Sequence, residues 1–167
     1  MLILVAGGSG SGKSEFAENM AASAGGHLIY VATMKPWGEE GIKRIEKHRK
    51  QREGKGFETI ERCTDVGSLD TEGTVLLEDL GNLVANEMFE GDTKRVLSGI
   101  LELNKKCSDL IIVTDNVFED GNIYDGDTER YIEFMGMLNC RIAAEADRVY
   151  EVICGIPTLI YSREGKK

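Results

Sequence analysis

The sequence predicts an α/β fold, a mainly parallel sheet flanked by helices, with a C-terminal antiparallel hairpin at one edge. Three observations carry this. Short apolar runs alternate with longer amphipathic segments, a glycine-rich stretch joins the first run to the first helical pattern, and the last two runs lie only three residues apart. A run that is apolar along its whole length suits a strand covered on both faces, the condition of a parallel sheet packed between helices.

The elements follow in order. The opening "MLILVAGG" reads as a first strand over 2–6 running into a glycine loop, rather than as a signal peptide. Further apolar runs stand at 28–33, 75–77, 110–114, 149–154 and 158–161. Between them, apolar spacing of three and four residues predicts helices over 13–24, 39–52, 80–106 with a break near Gly91, and 127–146. Only "GIP" separates the last two runs, too short for a crossover, so they form a hairpin. At 167 residues the chain is read as one domain over 1–167.

Charge and cysteine usage narrow the function classes. A formal net charge of -9 argues against a general nucleic-acid or anionic-membrane binder, because a phosphate backbone is repelled over most of the surface. A small anion in a local positive pocket remains compatible. No stretch reaches the roughly 20 apolar residues of a membrane-spanning helix. Cys63, Cys107, Cys140 and Cys154 are widely spaced, without a C-x-x-C pair or histidine at ligand spacing, and read as reduced thiols of a cytoplasmic protein.

The strongest motif is "GGSGSGKS", comprising Gly7, Gly8, Ser9, Gly10, Ser11, Gly12, Lys13 and Ser14. It fits G-x-x-x-x-G-K-[ST] between a predicted strand and a predicted helix, the context of a phosphate-binding loop. Glycines let backbone N–H groups wrap a phosphate, and the helix start adds its positive end. Lys13 is placed to reach the terminal phosphates and Ser14 to hold Mg²⁺ through its hydroxyl. A second acid is needed for that metal. Glu78 and Asp79 close "TVLLED", and Asp115 closes "LIIVTD" as a rival, although acids after strands also serve as plain turn formers.

Two other segments stand out. The acidic, glycine-containing stretch 115–127 departs from EF-hand order, leaving a substrate-side loop or a solvated surface as its readings. In "RIEKHRKQR", residues 44–52, Arg44, His48 and Arg52 lie at i, i+4 and i+8 and share one helix face. Residues 39–55 carry seven Lys or Arg against four Glu, a positive island in an acidic chain. The plain reading is a solvated helix face. The chemical one is a neutral imidazole that attacks a nucleotide phosphorus while guanidinium groups balance its charge.

Beyond these motifs, the chain resembles the bifunctional adenosylcobinamide kinase / adenosylcobinamide-phosphate guanylyltransferase family of cobalamin biosynthesis. The likeness runs in order through the phosphate loop with "KSEFAE", "YVATM" at 30–34, "EEGIKRIEKHRKQR" at 39–52, "FETIE" at 57–61, "VLLEDLGNLVANEMF" at 75–89 and "GMLNCRIAAEADRVYEVICGIP" at 136–157. It implies a RecA-like P-loop NTPase fold assembled as a homotrimer, with GTP and ATP as nucleotide substrates and a corrinoid as acceptor. It also implies that His48 takes up GMP covalently from GTP and that Arg49, Lys50, Gln51, Arg52 and Glu61 contact the nucleotide. Glu78 would belong to the nucleotide and Mg²⁺ site, and Val31, Ala32 and Thr33 to the strand end bordering it.

The chain departs from the family pattern at Ser9-Gly10, where Ala-Arg is usual. It departs again at "TDNVF", 114–118, in place of S-N-E-V-G, and at "ERYIE", 129–133, in place of R-x-F-R-D. Those changes keep two other readings open: another P-loop small-molecule kinase, in which His48 and its arginines only bind substrate, or a divergent nucleotide-binding paralogue without corrinoid activity.

Overall fold

The computed structural model describes residues 1–36, 38–116 and 124–163, and within its helices all side chains but those of Glu40 and Arg44. Its elements are β1 (Leu2–Gly7), α1 (Lys13–Ala24), β2 (Leu28–Ala32), α2 (Gly38–Arg52), β3 (Phe57–Glu61), β4 (Thr74–Glu78), α3 (Leu80–Glu90), α4 (Val96–Lys106), β5 (Asp109–Asp115), α5 (Gly126–Glu145), β6 (Arg148–Ile153) and β7 (Ile156–Ser162). Among the described residues the strands form one sheet of order β3-β2-β4-β5-β1-β6-β7. Every neighbouring pair is parallel except β6 and β7, the expected edge hairpin.

Side chains alternate across a strand, so each apolar run feeds two cores. Leu2, Leu4, Ile29, Val31, Val75, Leu77, Leu110 and Ile112 pack against α3, α4 and α5 through Leu83, Ile100, Leu103, Leu138 and Ile142. Ile3, Val5, Tyr30, Leu76, Ile111 and Val113 face the other way, against Ala17 and Ala21 of α1. The predicted break in 80–106 is real. Gly91 caps α3, a short 3-10 turn spans Thr93–Arg95, and α4 starts at Val96.

One strand escaped the sequence reading. β3 is an edge strand with one paired side, and its FETIE residues are half-buried or exposed, so no apolar run announces it. Its register with β2 (Ala32 beside Glu61), that of β2 with β4 (Ala32 beside Glu78), and that of β1 with β5 (Gly7 beside Asp115) align the strand ends. Four strand termini therefore deliver their last side chains to one rim, the crevice where open parallel sheets bind ligands. Most of the acidic stretch 115–127, including Phe118, lies outside the described residues.

Candidate active site

The loop after β1 has the geometry of a phosphate cradle. Gly10 and Gly12 adopt positive φ, 71° and 91°, which L side chains rarely accept. A Cβ on Gly7 would stand 2.6 Å from both Ser11 Oγ and the Val152 carbonyl, so the turn closes only with glycine there. The N–H of Phe16 donates to Gly12 O at 3.0 Å, opening α1 directly behind the loop. Gly8, Ser9 and Gly10 are exposed at its crown.

Two acids divide the loop between them. Lys13 is buried and folds back so that its Nζ donates to Gly8 O at 3.2 Å and pairs with Asp115 Oδ1 at 2.6 Å. The Ser14 hydroxyl donates to Glu78 Oε1 at 2.6 Å. The two acids that rivalled each other in the sequence thus take different partners, Glu78 the serine and Asp115 the lysine. Asp79 caps α3, accepting from Asn82 N at 2.7 Å and Asn82 Nδ2 at 2.8 Å.

The site suits a hard divalent cation. Glu78 is buried, and its Oε2 has no hydrogen-bond partner among the described residues. Burial pushes its carboxyl up to about 8, against the lowering hydrogen bond from Ser14, and nearby Asp79 raises it further. Such a carboxylate is short of positive charge. Among the described residues no cluster of three or more His, Cys, Asp or Glu could hold a metal, so one carboxylate and one hydroxyl would be completed by phosphate and water oxygens. That is the coordination Mg²⁺ favours.

Next to Glu78 opens a cavity of about 240 Å³ lined by residues that include Tyr30, Ala32, His48, Arg49, Arg52, Glu61, Glu78 and Asp79. It joins the histidine helix to the phosphate loop, since Glu78 borders the cavity and holds Ser14. Arg52, buried at the end of α2, lays its Cζ 3.4 Å from the centroid of the Tyr30 ring, and its Nη1 has no hydrogen-bond partner among the described residues. Burial, then Glu78, raises the Tyr30 hydroxyl well above the usual phenol range, which keeps it neutral beside that guanidinium. On the exposed lip Arg49 Nη2 meets Glu61 Oε1 at 3.1 Å.

Several expected residues sit differently. Lys50 lines a shallow groove continuing outward with Arg49, Arg52, Gly54 and Glu61. Gln51 lines neither that groove nor the cavity, and Val31 is fully buried in the sheet. Thr33 is buried too. Its hydroxyl reaches Glu78 O at 3.0 Å and Asp79 O at 2.8 Å, so it shapes the β4 end from behind. The Arg44 side chain is outside the described set.

Residues the sequence did not single out include Tyr30, Glu18 and Lys55. Glu18, fully buried one turn after Ser14, receives Lys55 Nζ at 2.7 Å and ties α1 to the turn after α2. The only sequence signal for this pair was a charged residue on the inward face of a helix.

Comparison with known proteins gives the family and the fold. Residues 3–160 match the model of a family described as cobinamide kinase / cobinamide phosphate guanyltransferase. The chain is 30% identical to the bifunctional adenosylcobalamin biosynthesis protein CobP of Pseudomonas aeruginosa, covering 92% of this chain and 94% of that one. It is 27% identical to the bifunctional adenosylcobalamin biosynthesis protein CobU of Escherichia coli K12, covering 93% and 97%. Among solved structures, the flagellar accessory protein FlaH from Methanocaldococcus jannaschii aligns with TM-score 0.51 and 12% identity over 98% of this chain and 79% of that one. A type III secretion system ATPase aligns with TM-score 0.55 and 11% identity over 90% and 50%. Those two likenesses concern the fold, a P-loop NTPase sheet.

Proposed function

The chain belongs to the cobinamide kinase / cobinamide phosphate guanyltransferase family, and from that premise we propose that it phosphorylates adenosylcobinamide from a nucleoside triphosphate, ATP or GTP, and then transfers GMP from GTP to adenosylcobinamide phosphate. The observation that carries the reading is the shared cavity. It sets His48 and Arg52 against Glu78, whose carboxylate grips the Ser14 hydroxyl of the phosphate loop.

In the guanylyl step a neutral His48 nitrogen attacks the α-phosphorus of GTP. The N–P bond forms as the bond to the bridging oxygen breaks, and pyrophosphate leaves with that electron pair. Backbone N–H groups of 7–14 and the Lys13 ammonium take up the charge on the leaving group. Arg52 would lie beside the reacting phosphate, its guanidinium carbon 3.4 Å from the centroid of the neutral Tyr30 ring. A phosphate oxygen of adenosylcobinamide phosphate then displaces the histidine, giving adenosylcobinamide-GDP. Ser14 and Glu78 would hold Mg²⁺, which supplies charge neutralisation at the phosphates when bound. Ala32 closes the strand that borders the nucleotide, with Val31 and Thr33 buried behind it, while Arg49, Lys50 and Glu61 form its outer rim.

The enzyme acts as a single domain over 1–167, in the cytoplasm, as a homotrimer. Four free thiols support the compartment, and the exposed Ile153, Ile156, Leu159 and Ile160 of the edge hairpin offer an apolar contact surface. Among the described residues no helix is long and apolar enough to cross a membrane.

The test is incubation with α-labelled GTP and Mg²⁺. Label that is acid-labile and alkali-stable and maps to His48 supports the reading; label persisting in His48→Ala overturns it. Transfer of γ-phosphate to cobinamide with no covalent GMP would favour the plain kinase reading instead.

A further inference from the structure

The cradle's acids approach it from the β4 and β5 side. On the opposite side the sheet continues through β6 into β7, and the turn between them, Cys154–Gly155, reaches the phosphate loop. The Gly155 N–H donates to the Ser11 carbonyl at 2.7 Å. A Cβ added to Gly12 would stand 3.2 Å from Gly155 Cα, so the two backbones are in close contact. One step back, the Val152 carbonyl limits Gly7 to glycine in the same way. Both turn residues have positive φ, 50° at Cys154 and 78° at Gly155, the conformation of a two-residue hairpin whose twist matches its strands.

We propose that this hairpin turn is a positioning element of the phosphate site, in which the Gly155 N–H sets the direction of the Gly12 N–H. The reason is peptide geometry. The Ser11–Gly12 bond is trans, as only the Glu78–Asp79 bond is cis among the described residues. A trans peptide points its N–H away from its C=O. With the Ser11 carbonyl held toward the hairpin, the Gly12 N–H is turned toward the side where Lys13 meets Asp115 and Ser14 meets Glu78. Neighbouring glycines leave the loop torsionally soft, so an outside donor is what selects this peptide orientation. The turn meets the loop's backbone at Ser11 and Gly12, and its role is exerted through Gly12.

The inference rests on reading 7–14 as the triphosphate cradle, which wild-type binding of GTP with Mg²⁺ tests separately. If wild type fails to bind GTP, that reading falls. If wild type binds, Gly155 variants test the turn. Gly155→Val strains a backbone at φ 78° although the space beside it is open. Gly155→Asn tolerates the same φ and keeps the N–H.

GTP affinity should fall about tenfold in Gly155→Val, roughly the loss of one good hydrogen bond to phosphate. It should stay within about twofold in Gly155→Asn, and guanosine affinity should be unchanged in both. Unaltered GTP affinity in a folded Gly155→Val, or an equal loss for guanosine, overturns the proposal. Should that variant not fold, amide exchange on the wild type decides. Exchange at Gly155 should slow at least about tenfold on saturation with GTP and Mg²⁺ and be unmoved by guanosine; no slowing overturns it.

Discussion

The two halves of the site are held in opposite ways. The phosphate loop lies between β1 and α1 at the centre of the sheet, flanked by β5 and β6, with Lys13 buried and its neighbours within hydrogen-bond reach. No described residue of the histidine helix α2 belongs to the two main cores, and side chains at its C-terminal end join it to the body, among them Arg52 on Tyr30, Arg49 on Glu61, and Lys55 just beyond it on Glu18. On the proposed reading, a cradle for a constant group, the triphosphate, is built into the core. The helix whose nucleophile would meet two partners in turn, GTP and then the acceptor phosphate, is held by the described contacts at its C-terminal end.

The largest expected effect breaks the loop half. Lys13→Ala removes the ammonium from both reactions at once, and both should fall by at least about a thousandfold, measured as phosphorylated cobinamide and as labelled protein. A variant losing only one activity would show that the two do not share the loop.

Next comes Arg52→Met, which keeps bulk over Tyr30 but removes the charge. Labelling of His48 should slow by about ten- to a hundredfold, while phosphorylation of cobinamide changes less than about threefold. Equal losses in both would erase the contrast between the halves.

The third concerns Glu78 and stability. Its carboxyl, pushed up to about 8 by burial, keeps a proton in the folded chain that the unfolded chain has already released. The folded state therefore binds more protons between about pH 5 and 8, and its stability falls as pH rises through that window, by at most about 1.4 kcal/mol per pH unit. Urea denaturation without metal or nucleotide should show this slope in wild type and lack it in Glu78→Gln. Identical slopes would refute the assignment.

The smallest effect belongs to the exposed lip. Arg49 and Glu61 are 62% and 72% exposed, so Arg49→Ala should leave the midpoint of urea denaturation nearly unchanged, by less than about 1 kcal/mol. A larger loss would mean that the lip is fastened as firmly as the loop.

Much of this was legible from residues alone. The apolar runs located six of the seven strands among the described residues, because burial on both faces removes polar alternation, whereas β3 stayed hidden because an edge strand needs no such run. The phosphate loop was legible because its chemistry is carried by consecutive residues. The face shared by His48 and Arg52 followed from helical spacing, yet Gln51 illustrates the limit: adjacency in sequence put it with the binding residues, and helix geometry turns it away from the cavity.

What sequence by itself determined is therefore local and periodic: strand and helix type, the glycine turn, the lysine and serine behind it, and one basic helical face. Only the tertiary structure decided which acid serves which partner, with Glu78 on Ser14 and Asp115 on Lys13. It alone brought Tyr30 under Arg52 and the Gly155 turn against Ser11. Those pairings join residues far apart in the chain, and they depend on strand order and register, which nothing in a linear pattern of polar and apolar residues records.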